Sequence, residues 1–255
     1  MFRQAFLQQL GNNRLRVEEQ LVLEECERRG IHTKLYLVKH VQRQHIPIDR
    51  GCFICGDMDV IHGAMRLLGI DPPSADDFPT MLEPFLHRRV WRSSVPWLEE
   101  ALHAGREVFA KPAGRRKYFT GRAFSAPDDL YHLSGISRHE PLWCSEVVRW
   151  LSEYRVYVVH HQIVGVAHYA GDPQAPLDME EVRSAVAAYA GTAPSGYGID
   201  FGVLDTGRTA LVEVNDGYAL GAYRQVDSAS YTTLLFTRWE QLLKTASNPA
   251  PAPHV

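Results

Sequence analysis

The stretch from Gly198 to Asn215, G-I-D-F-G-V-L-D-T-G-R-T-A-L-V-E-V-N, constrains the fold more tightly than any other. Two apolar runs, 198–204 and 209–214, flank Asp205-Thr-Gly-Arg, a turn signal, so the runs are expected to pair as an antiparallel hairpin. Side chains alternate along a strand, so Glu213 and Asn215 project from one face. Asp200 lies near both when the register permits. Two carboxylates and an amide oxygen are hard donors of the kind Mg²⁺ takes alongside substrate phosphates. Packed together without a cation, the carboxylates repel and their pKa values rise. A solvated hairpin edge would also carry polar residues, but the alternation of Glu213 and Asn215 with Val212 and Val214 speaks for an aimed face.

The remaining pattern alternates helical and extended runs. Residues 14–29 carry apolar positions at helical spacing and stop at Gly30. Residues 34–38 and 52–55 read as strands, and 59–68 as a helix ended by Gly69, the alternation of a small α/β unit. A turn-rich connection, Asp71-Pro-Pro-Ser-Ala-Asp-Asp-Phe-Pro, follows. Helices are expected at 81–89 and 94–104, and a buried strand from Glu107 to Pro112. A short helix is expected at 128–133 and strands at 143–148, 153–159 and 162–169, the last two as a hairpin. Residues 178–190 form an amphipathic helix with an acidic first turn, and 229–245 form another helix. Asn248-Pro-Ala-Pro-Ala-Pro reads as a disordered tail.

Composition narrows the partners. The chain has 255 residues, 45% of them hydrophobic and 22% charged, enough to bury a core without staples. A net charge of −3 forces no long basic face, so nucleic acid is not the expected partner. No run approaches the roughly 20 apolar residues of a membrane span. The first ten residues lack a signal-peptide pattern, so a cytoplasmic protein is expected. Four cysteines do not make a disulfide scaffold. Cys52-Phe-Ile-Cys55 is either a redox pair, half a zinc site, or an apolar strand. The lack of a second Cys pair favours the strand.

Several further residues suit phosphate and nucleotide chemistry. Lys111 closes an apolar strand, where its ammonium reaches phosphate oxygens as a point charge. The loop Gly114-Arg-Arg-Lys-Tyr-Phe-Thr-Gly121 offers Lys117, the Thr120 hydroxyl and the flexible Gly121; seen alone, it is also an ordinary basic turn. It is not a Walker A sequence, and no Gly-x-Gly-x-x-Gly follows a strand. In Ser145-Glu146-Val147-Val148, a strand end exposes backbone groups to pair with an adenine edge. Glu146 accepts from the exocyclic amine in that reading, and Glu153 from ribose hydroxyls; otherwise both are surface glutamates. Arg155 suits phosphate, or a salt bridge to Glu153 or Asp200.

In this order the pieces resemble the ATP-grasp superfamily of carboxylate–amine or carboxylate–thiol ligases, and more closely its clade named for two arginines and one lysine. Phe109-Ala-Lys-Pro, Lys117-Tyr-Phe-Thr-Gly, Ser145-Glu-Val-Val, Glu153-Tyr-Arg-Val-Tyr-Val and Val212-Glu-Val-Asn-Asp-Gly-Tyr-Ala-Leu-Gly-Ala-Tyr carry the resemblance, which spans residues 20–245. It implies an α+β fold with two subdomains clasping ATP. These would be residues 76–147 and 148–246, behind an α/β unit at 1–75 and before a tail at 247–255. D-alanine–D-alanine ligases carry an arginine two residues before the metal aspartate; here that position is Gly198. Their earlier ATP-binding lysine falls in the region of Phe85–Ser94, where Arg88, Arg89 or Arg92 can substitute, as can Lys117.

The resemblance implies that ATP and Mg²⁺ activate a carboxylate as an acyl phosphate, which an amine then displaces. Asp200, Glu213 and Asn215 would hold Mg²⁺. Lys111, Lys117 and Arg155 would neutralise phosphate, Thr120 and Gly121 would contact it, Glu146 and Val148 would select adenine, and Glu153 the ribose. The carboxylate donor is expected near Arg43, His45 and Asp57, and Tyr218 and Tyr223 on the acceptor side. The substrates would be small molecules or peptides. A kinase or a non-catalytic ATP-binding protein on the same fold are the alternatives; the sequence does not set the oligomeric state.

Overall fold

Parallel strands need helical crossovers, and the first third of the chain supplies them. The structure, a computed structural model, describes residues 2–43, 45–114 and 118–247. β1 (Gln4–Gln8), α1 (Val17–Arg29), β2 (His32–Tyr36), α2 (Val38–Gln42), β3 (Cys52–Cys55) and α3 (Met58–Leu67) form a parallel sheet in the order β2-β1-β3 with its crossover helices. β1 is the central strand, yet its sequence hides it: Arg3, Gln4, Gln8 and Gln9 flank the buried Ala5, Phe6 and Leu7. α1 ends where Gly30 adopts a left-handed conformation at φ 70° and returns its N–H to Cys26 and Glu27. Cys52 and Cys55 both lie on β3, buried and unpaired, and three positions apart on a strand they face opposite ways. The apolar strand is therefore the reading that fits.

A second, antiparallel sheet of order β4-β7-β5-β6 follows. It comprises β4 (Val90–Ser94), β5 (Val108–Pro112), β6 (Arg122–Phe124) and β7 (Pro141–Ser145), with α4 (Val95–His103) packed on it through Leu98 and Leu102. The helix expected at 81–89 is instead a single 3-10 turn, Thr80–Phe85, followed by β4. Pro84 supplies no N–H for a continuing helix, and the chain leaves helical geometry at His87, whose φ is 49°. The strand expected at 143–148 ends at Ser145, and the Glu146 N–H turns to the Arg89 carbonyl at 3.1 Å.

The third sheet is antiparallel and longer, of order β11-β10-β8-β9: β8 (Trp150–Val159), β9 (Gln162–Gly171), β10 (Gly196–Leu204) and β11 (Thr209–Asp216). Successive residues of β8 and β10 face opposite sides. Val156, Val158, Ile199 and Phe201 bury against Val182 and Val186 of α5 (Met179–Tyr189), which leaves Arg155 and Asp200 on the opposite face. α6 (Ser228–Ser247) then returns to the first sheet, where Phe236 packs on Phe2 and Phe53 and the Trp239 indole N–H donates to the Cys52 carbonyl at 3.1 Å. The last helix thus completes the core of the first strands. Among the described residues, no helix is long and apolar enough to cross a membrane.

Candidate active site

The hairpin register decides what the conspicuous oxygens can do together. Asp200 faces Glu213, Gly198 faces Asn215, and on the other edge Arg155 of β8 faces Asp200. Between Asp200 and Phe201 the register slips, so Phe201 faces Leu211 and Val212 is the extra residue of a bulge. Bulges re-aim side chains and leave ladder groups unpaired. Arg88 takes up the bulge's carbonyls, donating to Leu211 at 2.6 Å and Val212 at 3.2 Å, with its guanidinium 5.2 Å from the Trp150 ring centre. Burial pulls the Arg88 pKa down to about 10, against the opposing charge of Glu153. Gly202 lets the indole lie this close: a Cβ there would sit 2.4 Å from it.

Asp200 is buried and held by Arg155 through two bonds, Nε to Oδ1 at 2.8 Å and Nη2 to Oδ2 at 2.6 Å. Burial raises the Asp200 carboxyl, and the bonds from Arg155 only partly restore it. For Arg155, burial works against the charge and Asp200 more than offsets it, so the guanidinium stays charged. Its Nη1 reaches the Gly221 carbonyl at 3.2 Å, and its charge lies 5.1 Å from the Tyr223 ring centre. Asn215 turns its amide nitrogen to both carboxylates, Asp200 Oδ2 at 3.2 Å and Glu213 Oε1 at 3.1 Å. A half-turn of the amide would bring its oxygen in instead.

Glu213 also accepts from the Lys111 ammonium, which crosses over from the second sheet. Among the described residues no three His, Cys, Asp or Glu side chains form a metal cluster. The set is two carboxylates and one amide, and a lysine and an arginine already supply positive charge to it. The hard oxygens are donors of the kind Mg²⁺ takes, and the two cations suit the phosphate oxygens such an ion would share.

On the second sheet, Arg92 of β4, Trp143 of β7 and Lys111 of β5 stand in one register row and therefore on one face. Arg92 stacks 4.1 Å from the Trp143 ring centre. The Trp143 indole nitrogen is buried with no partner among the described residues. Arg89 is 81% exposed and grips Glu146 through its side chain at 2.7 Å. The three candidate arginines thus separate: Arg88 supports the bulge, Arg89 faces outward, and Arg92 shares a row with Lys111. Gly121 packs on Lys111, since a Cβ there would lie 3.0 Å from the lysine Cβ and 2.8 Å from the Phe109 ring. Thr120 is exposed. Lys117 lies outside the described residues.

Val148, with Val147, Arg149, His87 and Leu204, lines a cavity of about 510 Å³ where the second sheet hands over to the third. Glu153 accepts from the Tyr169 hydroxyl at 2.9 Å, and Tyr169 stacks on Tyr223 with centroids 4.8 Å apart. A smaller cavity of about 190 Å³ opens between the carboxyl end of β3 and the start of α1. Asp57, Tyr218, Arg16, Glu18 and Gly221 are among its lining residues, whereas Arg43 and His45 are not. Sequence reading missed Arg16, Glu18, Tyr169 and Asp77, whose carboxylate sits 2.7 Å from Lys111. Only the acidic start of α1 gave any signal for them.

A parallel-sheet unit followed by two antiparallel sheets, with a lysine on one facing carboxylates on the other, defines the ATP-grasp fold. Within it, the chain belongs to the second family of the ATP-grasp clade named for two arginines and one lysine, whose domain model matches residues 85–234. Solved structures agree on the fold. D-cycloserine synthetase DcsG is similar with a TM-score of 0.61 at 10% identity, covering 94% of this chain and 99% of that one. D-alanine–D-alanine ligase from Bacillus anthracis gives 0.56 at 14%, covering 97% and 99%. N5-carboxyaminoimidazole synthase from Aspergillus clavatus gives 0.55 at 13%, covering 98% and 78%. No curated protein sequence matches the chain.

Proposed function

We propose that the chain is an ATP-dependent ligase that joins a carboxylate to an amine through an acyl phosphate, releasing ADP and phosphate. The observation that carries this reading is the meeting of Lys111, from the second sheet, with Glu213 of the third, beside Asn215 and Asp200. Family membership supports it, and two of the similar structures are named as a ligase and a synthetase.

ATP supplies the phosphoryl group that activates the carboxylate, and Mg²⁺ supplies charge neutralisation to its phosphates. The protein's part is positioning and electrostatics. Asp200, Glu213 and Asn215 would hold the metal. Lys111 and Arg92, on one face, would take phosphate oxygens, joined by Lys117 and by Thr120 and Gly121 of the loop. Arg155 would keep Asp200 ionised and present a charge toward the Gly221 side, where the 190 Å³ cavity receives a substrate. Glu146 and the Val148 backbone would select adenine at the hinge cavity, and Glu153 the ribose. The segments 1–75, 76–147 and 148–246 would act as substrate unit and two ATP-clasping subdomains. Small molecules or peptides bearing a carboxylate and an amine are the proposed substrates.

The test is ADP release from Mg-ATP against a panel of carboxylates and amines, with Glu213→Ala as control. Release that needs both partners and fails in the variant supports the ligase. Release with one acceptor and a phosphorylated product would make the chain a kinase, and binding without any release would make it a binding module.

A further inference from the structure

Asp77 lies in the connection between the first and second sheets, outside every motif that marks the nucleotide site. Its Oδ2 sits 2.7 Å from Lys111 Nζ, and Glu213 holds the same ammonium. The lysine side chain is only 12% exposed and the aspartate 22%, so solvent screens their attraction weakly. The backbone fixes Asp77 in place. Val214, next to Glu213 on the edge strand β11, donates its N–H to the Asp77 carbonyl at 2.9 Å. Phe78 then packs edge-on against Trp143 at 4.9 Å, and Lys111 Nζ lies 4.9 Å from the Phe78 ring centre. Residues 77 and 78 therefore bind both walls of the cleft, and Asp77 cannot travel with Lys111 when the lysine turns elsewhere.

We propose that Asp77 makes nucleotide binding conditional on the divalent cation, by competing with phosphate for Lys111. The inference rests on the reading of this cleft as a nucleotide–metal site. Lys111 is held by two carboxylates at once, so phosphate must compete with both for the one ammonium. A bare polyphosphate must draw Lys111 off both acids. A cation on Glu213 replaces the lysine there, neutralises one acid and leaves Lys111 a single competitor. Selection between bare and metal-loaded nucleotide then comes from a built-in anion, by penalising the wrong ligand.

The experiment is calorimetric binding of ADP in excess Mg²⁺ and in EDTA, to wild type, Asp77→Asn, Lys111→Met and the double variant. Wild type is expected to bind far more weakly in EDTA. Asp77→Asn should raise the EDTA affinity roughly tenfold, shrinking the Mg²⁺-to-EDTA ratio. In the Lys111→Met background that gain should shrink, because the effect runs through the lysine. Asp77→Ser, which keeps the backbone bond and removes the charge, is read in parallel should the Asn variant fold poorly. Asp77→Glu should retain the wild-type ratio. Metal-dependent binding with an unchanged ratio in both neutral variants, an equal loss in both buffers, or the same gain without Lys111 would overturn the inference alone. No ADP binding to folded wild type in Mg²⁺ would overturn the nucleotide reading, and the inference with it.

Discussion

On the wall built from β8 to β11, Arg155 and Asp200 hold each other through two bonds in a buried pair, and Gly221 and Tyr223 fix the guanidinium from above. On the wall built from β4, β7 and β5, Arg92 rests on an indole face and Lys111 is shared between acids of other segments. Both walls carry two charged groups in one register row. The difference lies in what each group must give up to meet a ligand. Removing Arg155 strands a carboxylate in a dry site, whereas Lys111, shared between two acids, is the group that trades a carboxylate for a phosphate in the proposed reading. One wall keeps its charge to stay folded and aimed; the other keeps its charge transferable.

The largest expected effect is on the fixed wall. Arg155→Met leaves Asp200 buried without its partner and should cost about 3–5 kcal/mol in urea unfolding. A loss below about 1 kcal/mol would remove the distinction, because the pair would then behave like a surface one. On the other wall, Lys111→Ala should weaken Mg-nucleotide binding roughly 10- to 100-fold, the worth of one hydrogen bond to a charged group, while unfolding changes little. If Lys111→Ala instead unfolds the protein and spares binding, the two walls have been assigned the wrong way round.

The sequence showed these walls unequally, for physical reasons. The hairpin was legible because period-two alternation and an Asp-Thr-Gly-Arg turn place Glu213 and Asn215 on one face whatever the rest of the chain does. The bulge at Val212 was not, because it depends on the register with β10. β4 was hidden because Arg88-Arg-Val-Trp-Arg has no clean alternation, and without its register the three arginines look alike. β1 was hidden by the glutamines around Ala5–Leu7, whose burial comes from α1 packed on the strand and from the wider core of the first sheet. Asp77 sits in a Pro-rich connection, and its partners, Lys111 and the β11 edge, are distant in sequence. Local pattern reports which face a residue takes, not which distant residue meets it. Roles that rest on such meetings, Arg92 and Asp77 among them, become arguable only once the sheets are in place.

The smallest effect concerns the transferable wall without ligand. Burial alone would lower the Lys111 pKa, but Glu213 and Asp77 outweigh it and the folded value lies above the ordinary 10.5. A raised folded pKa means the protonated lysine stabilises the native state fully below about pH 10.5, and this contribution is lost as the pH climbs through the folded value. In EDTA, wild type should therefore lose stability between about pH 9 and the alkaline limit by more than Lys111→Met does. Other lysines and tyrosines titrate in the same range, and subtracting the variant's profile from the wild-type profile removes them. The difference should be smaller than either effect above, because only the charge of one ammonium is removed. A flat difference profile would mean that Lys111 is not held by its acids in solution, and the wall would be looser than its geometry indicates.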